Sequence, residues 1–147
     1  MLYPQFNPFR QCIDLSGFWD FCFDPERVGE AQGWADGFDH GRPIAVPASW
    51  NDQFDDGRDY LGQSWYQTRF DMPWGWQDKR LLMRFGSVNY LAEVWLNGTR
   101  VGLHEGGEVD RRPFAVGRDR ARNQVGEQRR LDLGEELLAR QRLERRT

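Results

Sequence analysis

The sequence predicts an all-β fold, either a β-sandwich or a jelly roll, and three observations support this prediction. Short stretches alternate apolar and polar residues, which is typical of strands with one buried face. Gly, Pro and Asn-Gly turn signals separate these stretches. Helical periodicity is almost absent before residue 108.

Four stretches before residue 90 are predicted strands, and they are residues 17–25, 43–47, 64–73 and 81–88. In the first of them, Trp19, Phe21 and Phe23 fall on one face. Pro43 and Pro47 mark the ends of the second predicted strand, because Pro cannot donate a hydrogen bond to a β-ladder. Residues 28–38 fit a short helix or a turn. Residues 51–62 form a polar loop rich in Asp, which we refer to as the acidic loop.

Two further strands are predicted on either side of Asn97-Gly98, which is typical of a two-residue type I′ hairpin turn. The expected cross-strand pairs are Leu96–Thr99, Trp95–Arg100, Val94–Val101 and Ala92–Leu103. The buried face then carries Ala92, Val94, Val101 and Leu103, and the opposite face carries Glu93, Trp95 and Arg100. The Trp95–Arg100 pair is a candidate cation–π contact.

Composition argues against several function classes. A formal net charge of −3 gives no global attraction to nucleic acid or an anionic membrane. No apolar run approaches the roughly 18 residues that span a bilayer, and the first residues lack the apolar core of a secretory signal. Cys12 and Cys22 have neither metal-ligand spacing nor a disulfide framework. We therefore expect a cytoplasmic protein with free thiols, no metal and no cofactor.

Three sets of side chains are candidates for binding or chemistry. Asp52, Asp55, Asp56 and Asp59 offer oxygen ligands to calcium or simply form a solvated loop. Flat apolar rings suit sugars, so Trp65, Trp74, Trp76 and Trp95 form either a sugar platform or part of the sheet packing. His40 and His104 lie in no catalytic or metal pattern and are interpreted as turn residues. Glu105 is either an acid or simply the residue before a Gly-Gly that permits a tight turn or bulge.

Four sequence pieces in order carry a family resemblance: "DLSGFWDF", "IAVPASWNDQF", "WYQTRFDMPWGW" and "LLMRFGSVNYLAEVWLNGTRVGLHEGG". Together they resemble the N-terminal sugar-binding domain of glycoside hydrolase family 2, a jelly roll similar to galactose-binding domains. The resemblance covers residues 2–107. "SWNDQF" and "WYQTRF" favour the β-glucuronidases over the β-galactosidases and β-mannosidases of that family.

The resemblance implies a non-catalytic carbohydrate-binding domain that buttresses a catalytic (β/α)₈ barrel. The implied partners are that barrel, an immunoglobulin-like domain and a glycoside, often within a homotetramer, with no nucleic acid and no membrane. The two catalytic glutamates of these retaining hydrolases lie on the barrel, so no catalytic residue is carried over to this chain. The implied carbohydrate or interdomain contacts are Asn51, Asp52, Arg58, Tyr60, Trp65 and Trp95. A free carbohydrate-binding module and a decayed, non-functional fragment remain the alternatives.

The composition changes after Gly107. Residues 1–107 contain nine Lys and Arg against fifteen Asp and Glu, and twenty of the 21 aromatic residues. Residues 108–147 contain eleven Arg against eight acidic residues, and a single aromatic, Phe114. We therefore predict an incomplete sugar-binding domain over residues 1–107 and a non-homologous, Arg-rich tail over residues 108–147, irregular or partly helical. Residues 113–116 are the alternative of a displaced strand within that tail. A shifted reading frame or a truncated gene copy near Glu108 is the hypothesis for this change.

Overall fold

The computed structural model describes residues 11–76, 79, 81–86, 88, 91–105, 114–116 and 135–142, the last two ranges by their backbone alone. These residues form eight strands: β1 (Gly17–Asp24), β2 (Arg42–Val46), β3 (Gln63–Phe70), β4 (Leu81–Met83), β5 (Leu91–Leu96), β6 (Thr99–Glu105), β7 (Phe114–Val116) and β8 (Glu135–Arg142). One short helix, α1 (Trp50–Gln53), and three 3₁₀ turns, Trp34–Asp36, Asp55–Gly57 and Trp74–Trp76, lie between them. The predicted all-β class is confirmed.

The strands form two antiparallel sheets. The larger has the order β2-β1-β3-β8-β5-β6, and the smaller consists of β4 and β7. Within the described ranges no helix is long and apolar enough to cross a membrane.

One face of the larger sheet, which we call the inner face, carries the main hydrophobic core. Its buried side chains are Trp19, Phe21, Ile44, Trp50, Tyr66 and Val94. Met83, the last residue of β4, and Phe85, two residues after it, also pack against this core. The predicted alternation along β1 is confirmed, because Trp19 and Phe21 are buried whereas Asp20 between them is exposed and Phe18 before them is 80% exposed.

The opposite, outer face of the same sheet is also partly covered. Phe38, Trp65 and Trp95 form a second buried cluster there, and Cys22, Trp34 and Ala35 pack against it. The segment that covers this face, residues 25–41, is called the covering loop below. Its short 3₁₀ turn fits the predicted helix or turn over residues 28–38.

The hairpin at Asn97-Gly98 is confirmed, but the predicted register fails beyond its first two pairs. Leu96–Thr99 and Trp95–Arg100 pair as expected, and both turn residues have positive φ. A register shift between Val94 and Trp95 then pairs Val94 with Gly102 and Ala92 with His104. Such a β-bulge inserts one extra residue into one strand, so every later pair moves by one position.

The bulge changes the predicted burial of β6. Val101 packs against the inner core, but Leu103, which was expected on the buried face, is 48% exposed. His104 is 9% exposed in its place. The expectation of a hairpin with one buried face is also wrong for β5, because Val94 is buried on the inner face and Trp95 on the outer face.

The expectation of an irregular or partly helical tail is wrong for residues 135–142. These residues form β8, which pairs with β3 on one side and with β5 on the other. A strand at this position supplies the ladder partners that both neighbours need, and such pairing overrides weak local preferences. Residues 114–116 form β7, as the displaced-strand alternative expected. The rest of the predicted tail lies outside the described residues, and the domain division at Gly107 stays a prediction.

Candidate functional site

The acidic loop begins at a buried anchor. Trp50, the first residue of α1, is 2% exposed and lies within 6.4 Å of Phe21, Phe23 and Tyr66, measured between ring centroids. Ser49 caps this helix by accepting the Asn51 backbone N–H at 3.3 Å. The start of the loop is therefore fixed to the inner core.

Asn51 closes the loop on itself. Its Nδ2 donates to the carbonyl oxygens of Gly57 at 2.6 Å and Arg58 at 3.0 Å, and its Oδ1 accepts from Ser49 Oγ at 3.0 Å. Because both amide protons serve the loop's own backbone, this predicted site residue has a structural role. Any contact with another domain or a sugar stays a prediction.

Tyr60 ends the loop with a second internal bond. Its hydroxyl donates to the Gln63 carbonyl at 2.6 Å, and its ring lies 4.3 Å from that of Phe23 between centroids. Burial, with a smaller effect of the Asp24 carboxylate, raises the pKa of Tyr60. The phenol is therefore neutral at neutral pH and acts as a donor.

Two ion pairs organise the acidic side chains. Asp56 accepts from Arg42 of β2 at 2.9 Å, and this hydrogen bond lowers the pKa of the Asp56 carboxyl. Asp55 pairs with Arg58 at 3.2 Å, where both side chains are largely exposed. No cluster that could hold a metal ion occurs among the described residues.

The Arg42 guanidinium also lies over an aromatic face. Its Cζ is 3.7 Å from the centroid of Phe54, the residue that follows α1. This cation–π contact was not predicted from the sequence. The predicted Trp95–Arg100 contact stays a prediction: the two residues are cross-strand partners, Arg100 pairs with Glu93 at 3.5 Å, and Trp95 is buried.

The two predicted site tryptophans lie in the outer cluster and face away from the acidic loop. Trp65 is 0% and Trp95 is 5% exposed, and their ring centroids are 5.2 Å apart. Trp65 alternates with Tyr66 along β3, and Tyr66 faces the inner core that carries Trp50. The six predicted site residues therefore do not converge, and neither tryptophan presents a face to a ligand. Trp74 is 85% exposed, and the Trp76 indole donates to Gln11 Oε1 on the N-terminal segment.

Asp24 was not predicted from the sequence as a site residue, yet it accepts four hydrogen bonds on the outer face. It is 1% exposed, and its Oδ1 accepts the Val28 N–H at 2.8 Å. Its Oδ2 accepts from Gly29 N at 2.9 Å, Gln63 Nε2 at 3.0 Å and Trp65 Nε1 at 3.0 Å. Asp24 thus ties the covering loop to β3. An Asp at a strand end was visible in the sequence, but partners 39 and 41 residues away were not.

The remaining candidates are placed as follows. The His40 ring packs against Trp34 at 4.6 Å and Phe38 at 5.4 Å, next to the outer cluster, and so lies in the covering loop as a turn residue. His104, interpreted as a turn residue, instead lies in β6, and Glu105 is the last residue of that strand.

Comparison with known proteins assigns this arrangement to a family. Residues 29–141 match the family model described as the β-galactosidase second all-β domain. The β-glucuronidase of Paenibacillus borealis is 38% identical over 110 residues, which are 73% of this chain and 18% of that protein. The human β-glucuronidase is 36% identical over 119 residues, again 73% of this chain and 18% of that protein.

The solved structures give the same assignment. The crystal structure of Ruminococcus gnavus β-glucuronidase superposes with a TM-score of 0.79 at 32% identity, over 97% of this chain and 23% of that one. The chain belongs to the β-glucuronidase group of glycoside hydrolase family 2 and corresponds to one all-β domain region of those enzymes. It spans about a fifth of the length of the relatives it matches.

Proposed function

We propose that the chain is the N-terminal, non-catalytic jelly-roll domain of a β-glucuronidase-like hydrolase, and that it serves as a rigid wall against the rest of the enzyme. The observation that carries this proposal is the acidic loop, whose backbone is fixed by Trp50, Asn51 and Tyr60. Asp52 and Arg58 remain exposed on that fixed frame. A preorganised loop with exposed charges suits contacts to a neighbouring domain.

The direct test is a chimera in which this chain replaces the matching region of the Paenibacillus borealis β-glucuronidase. We expect an active chimera in which Asp52→Ala and Arg58→Ala weaken either the association between domains or kcat/KM. Glu26→Ala is the matched control, because Glu26 is an exposed acid on the covering loop. Equal behaviour of the three variants would contradict an interdomain role for the acidic loop.

Hydrolysis by a retaining glycosidase needs two carboxyl groups about 5–5.5 Å apart on either side of the scissile bond. In the described structure the carboxylates of Asp55 and Asp56 are already paired with arginines, and that of Asp24 is buried under four donors. We therefore expect the isolated chain to release no chromophore from an aryl glucuronide above a buffer blank. Release that scales with enzyme concentration and survives further purification would refute this expectation.

Sugar binding by the isolated chain is the second candidate function; of the four tryptophans predicted as a sugar platform, Trp65 and Trp95 are buried, whereas Trp74 is exposed. D-glucuronic acid is the appropriate probe, since a Ruminococcus gnavus β-glucuronidase was solved in complex with it. Titration calorimetry should show no heat of binding at millimolar sugar. Saturable binding that Trp74→Ala abolishes would instead favour a free carbohydrate-binding module, because Trp74 is the most exposed large apolar side chain among the described residues. We also propose a cytoplasmic location, on the composition alone.

A further inference from the structure

β2 is an edge strand of the larger sheet, and the side of it that faces away from β1 has no backbone N–H available for another strand. In an antiparallel pair, residues at non-hydrogen-bonded positions turn their N–H and C=O away from the partner strand. Ala45 pairs with Phe18 of β1, yet its N–H and C=O both bond to the Gln53 side chain, so Ala45 occupies such a position. Pro43, two residues earlier, has the same orientation and carries no N–H at all.

Gln53 acts at this edge as a substitute for a strand. Its Oε1 accepts the Ala45 N–H at 2.7 Å, and its Nε2 donates to the Ala45 carbonyl at 3.1 Å. A side-chain amide thus reproduces the two bonds that a neighbouring peptide group would make. Its Nε2 also donates to the Ser49 carbonyl at 3.2 Å, which orients the amide.

The acidic loop lies along the same edge, and a second tether holds it there. Arg42 of β2 bonds to Asp56 at 2.9 Å and stacks on Phe54 at 3.7 Å. Two copies that approached each other through β2 would therefore bring two acidic loops together. Like charges at an edge, Pro in the strand and a covered ladder are the means by which proteins prevent edge-to-edge association.

We propose that Gln53, with the acidic loop that carries it, closes the β2 edge of the larger sheet to pairing with a second copy of this chain. This role is independent of the proposed function, since it concerns the isolated chain alone. Removing the Gln53 amide leaves Ala45, the fourth of the five residues of β2, with a free outward N–H and C=O, where a second copy of the strand can pair.

The test compares the full chain with Gln53→Ala, Ala45→Pro and the double variant by sedimentation velocity at several concentrations and by hydrogen exchange. In Gln53→Ala we expect the Ala45 amide to exchange at least tenfold faster at low concentration and the chain to self-associate as concentration rises. Ala45→Pro removes the last outward N–H without touching a ladder bond, so the double variant should sediment like the wild-type chain. Gln32→Ala, an exposed Gln on the covering loop, is the matched control.

Three outcomes would overturn the proposal. The first is unchanged exchange at Ala45 in Gln53→Ala, and the second is faster exchange there without any self-association. The third is self-association that persists in the double variant, because a chain that associates through general unfolding is not rescued by a proline. The exchange of the β1 and β3 amides in Gln53→Ala guards against misfolding, because protection at the wild-type level there shows that the sheet is folded while association is measured.

Discussion

Replacing Asp24 should show how much of the stability of the domain depends on a single buried carboxylate. Three of its four hydrogen bonds, those from Gly29, Gln63 and Trp65, are fully buried, and the fourth, from Val28, is partly buried. Asp24→Ala leaves all four donors without an acceptor. A buried donor left unpaired costs about 1–3 kcal/mol, so three of them give at least about 3 kcal/mol of lost unfolding free energy.

Asp24→Asn is the graded version of the same experiment. The Asn amide keeps one carbonyl oxygen, which can serve the three donors at the Oδ2 position. Its NH₂ group then faces the Val28 N–H, so one bond is lost and two donors oppose each other. The expected loss is about 1–3 kcal/mol, between the wild-type chain and the Ala variant.

Urea denaturation followed by tryptophan fluorescence measures both losses as shifts of the midpoint at constant m value. Asp52→Asn is the control, because Asp52 is exposed and should change the unfolding free energy by less than about 0.5 kcal/mol. The reasoning fails if Asp24→Ala costs no more than this control. It also fails if Asp24→Asn and Asp24→Ala are equal, since the loss should scale with the number of orphaned donors.

Four further predictions concern the core, β8 and the half-buried Cys22 thiol. Phe21→Ala should lower the free energy of unfolding by about 3–5 kcal/mol in the same denaturation assay, because Phe21 is fully buried and its ring contacts Phe54 and Tyr66. A loss below about 1 kcal/mol would contradict this packing. The amides of residues 135–142 should exchange as slowly as those of β3, and fast exchange there would assign them to the predicted tail. Burial raises the pKa of the Cys22 thiol from 9.0 to about 12, so it should resist a thiol reagent at pH 8 until denaturant is added. Because the unfolded thiol loses its proton first, stability should fall between about pH 9 and 12, and this fall should be smaller in Cys22→Ala.

The strands of the larger sheet were predictable because their evidence is local. In β1, every second residue from Trp19 is apolar and packs on the inner core, as alternation requires. Asn97-Gly98 predicted the turn and the first two cross-strand pairs for the same reason. The bulge that follows was not predictable, because no residue type demands it. The bulge is a property of the pairing between β5 and β6, which depends on the positions of both strands in space.

The site was less predictable because its contacts are long-range. Sequence placed Asn51 and Tyr60 in a polar loop, but the bonds that give them their roles run to backbone carbonyls, which carry no sequence pattern. Trp65 and Trp95 were candidates for a sugar platform only while one face of the sheet was assumed to be open. The covering loop fills that face, and a carboxylate 41 residues before Trp65 holds the loop there.

Composition suggests that the aromatic residues are the functional groups and that the acidic loop is an ordinary surface segment. The structure supports the opposite assignment. The aromatic residues, which drew attention as ligand groups, are mostly packing residues of the inner and outer clusters. The polar residues of the acidic loop, which resembled an ordinary solvated segment, are fixed at three points by Trp50, Gln53 and Arg42. Because the acidic loop is already ordered, binding to a neighbouring domain immobilises few additional groups and loses little conformational entropy. This loop is therefore the part of the domain best suited to an interdomain contact. If exchange of the amides in residues 49–60 proved as fast as in an unstructured peptide, this argument would lose its basis even if the fold of the sheet stood.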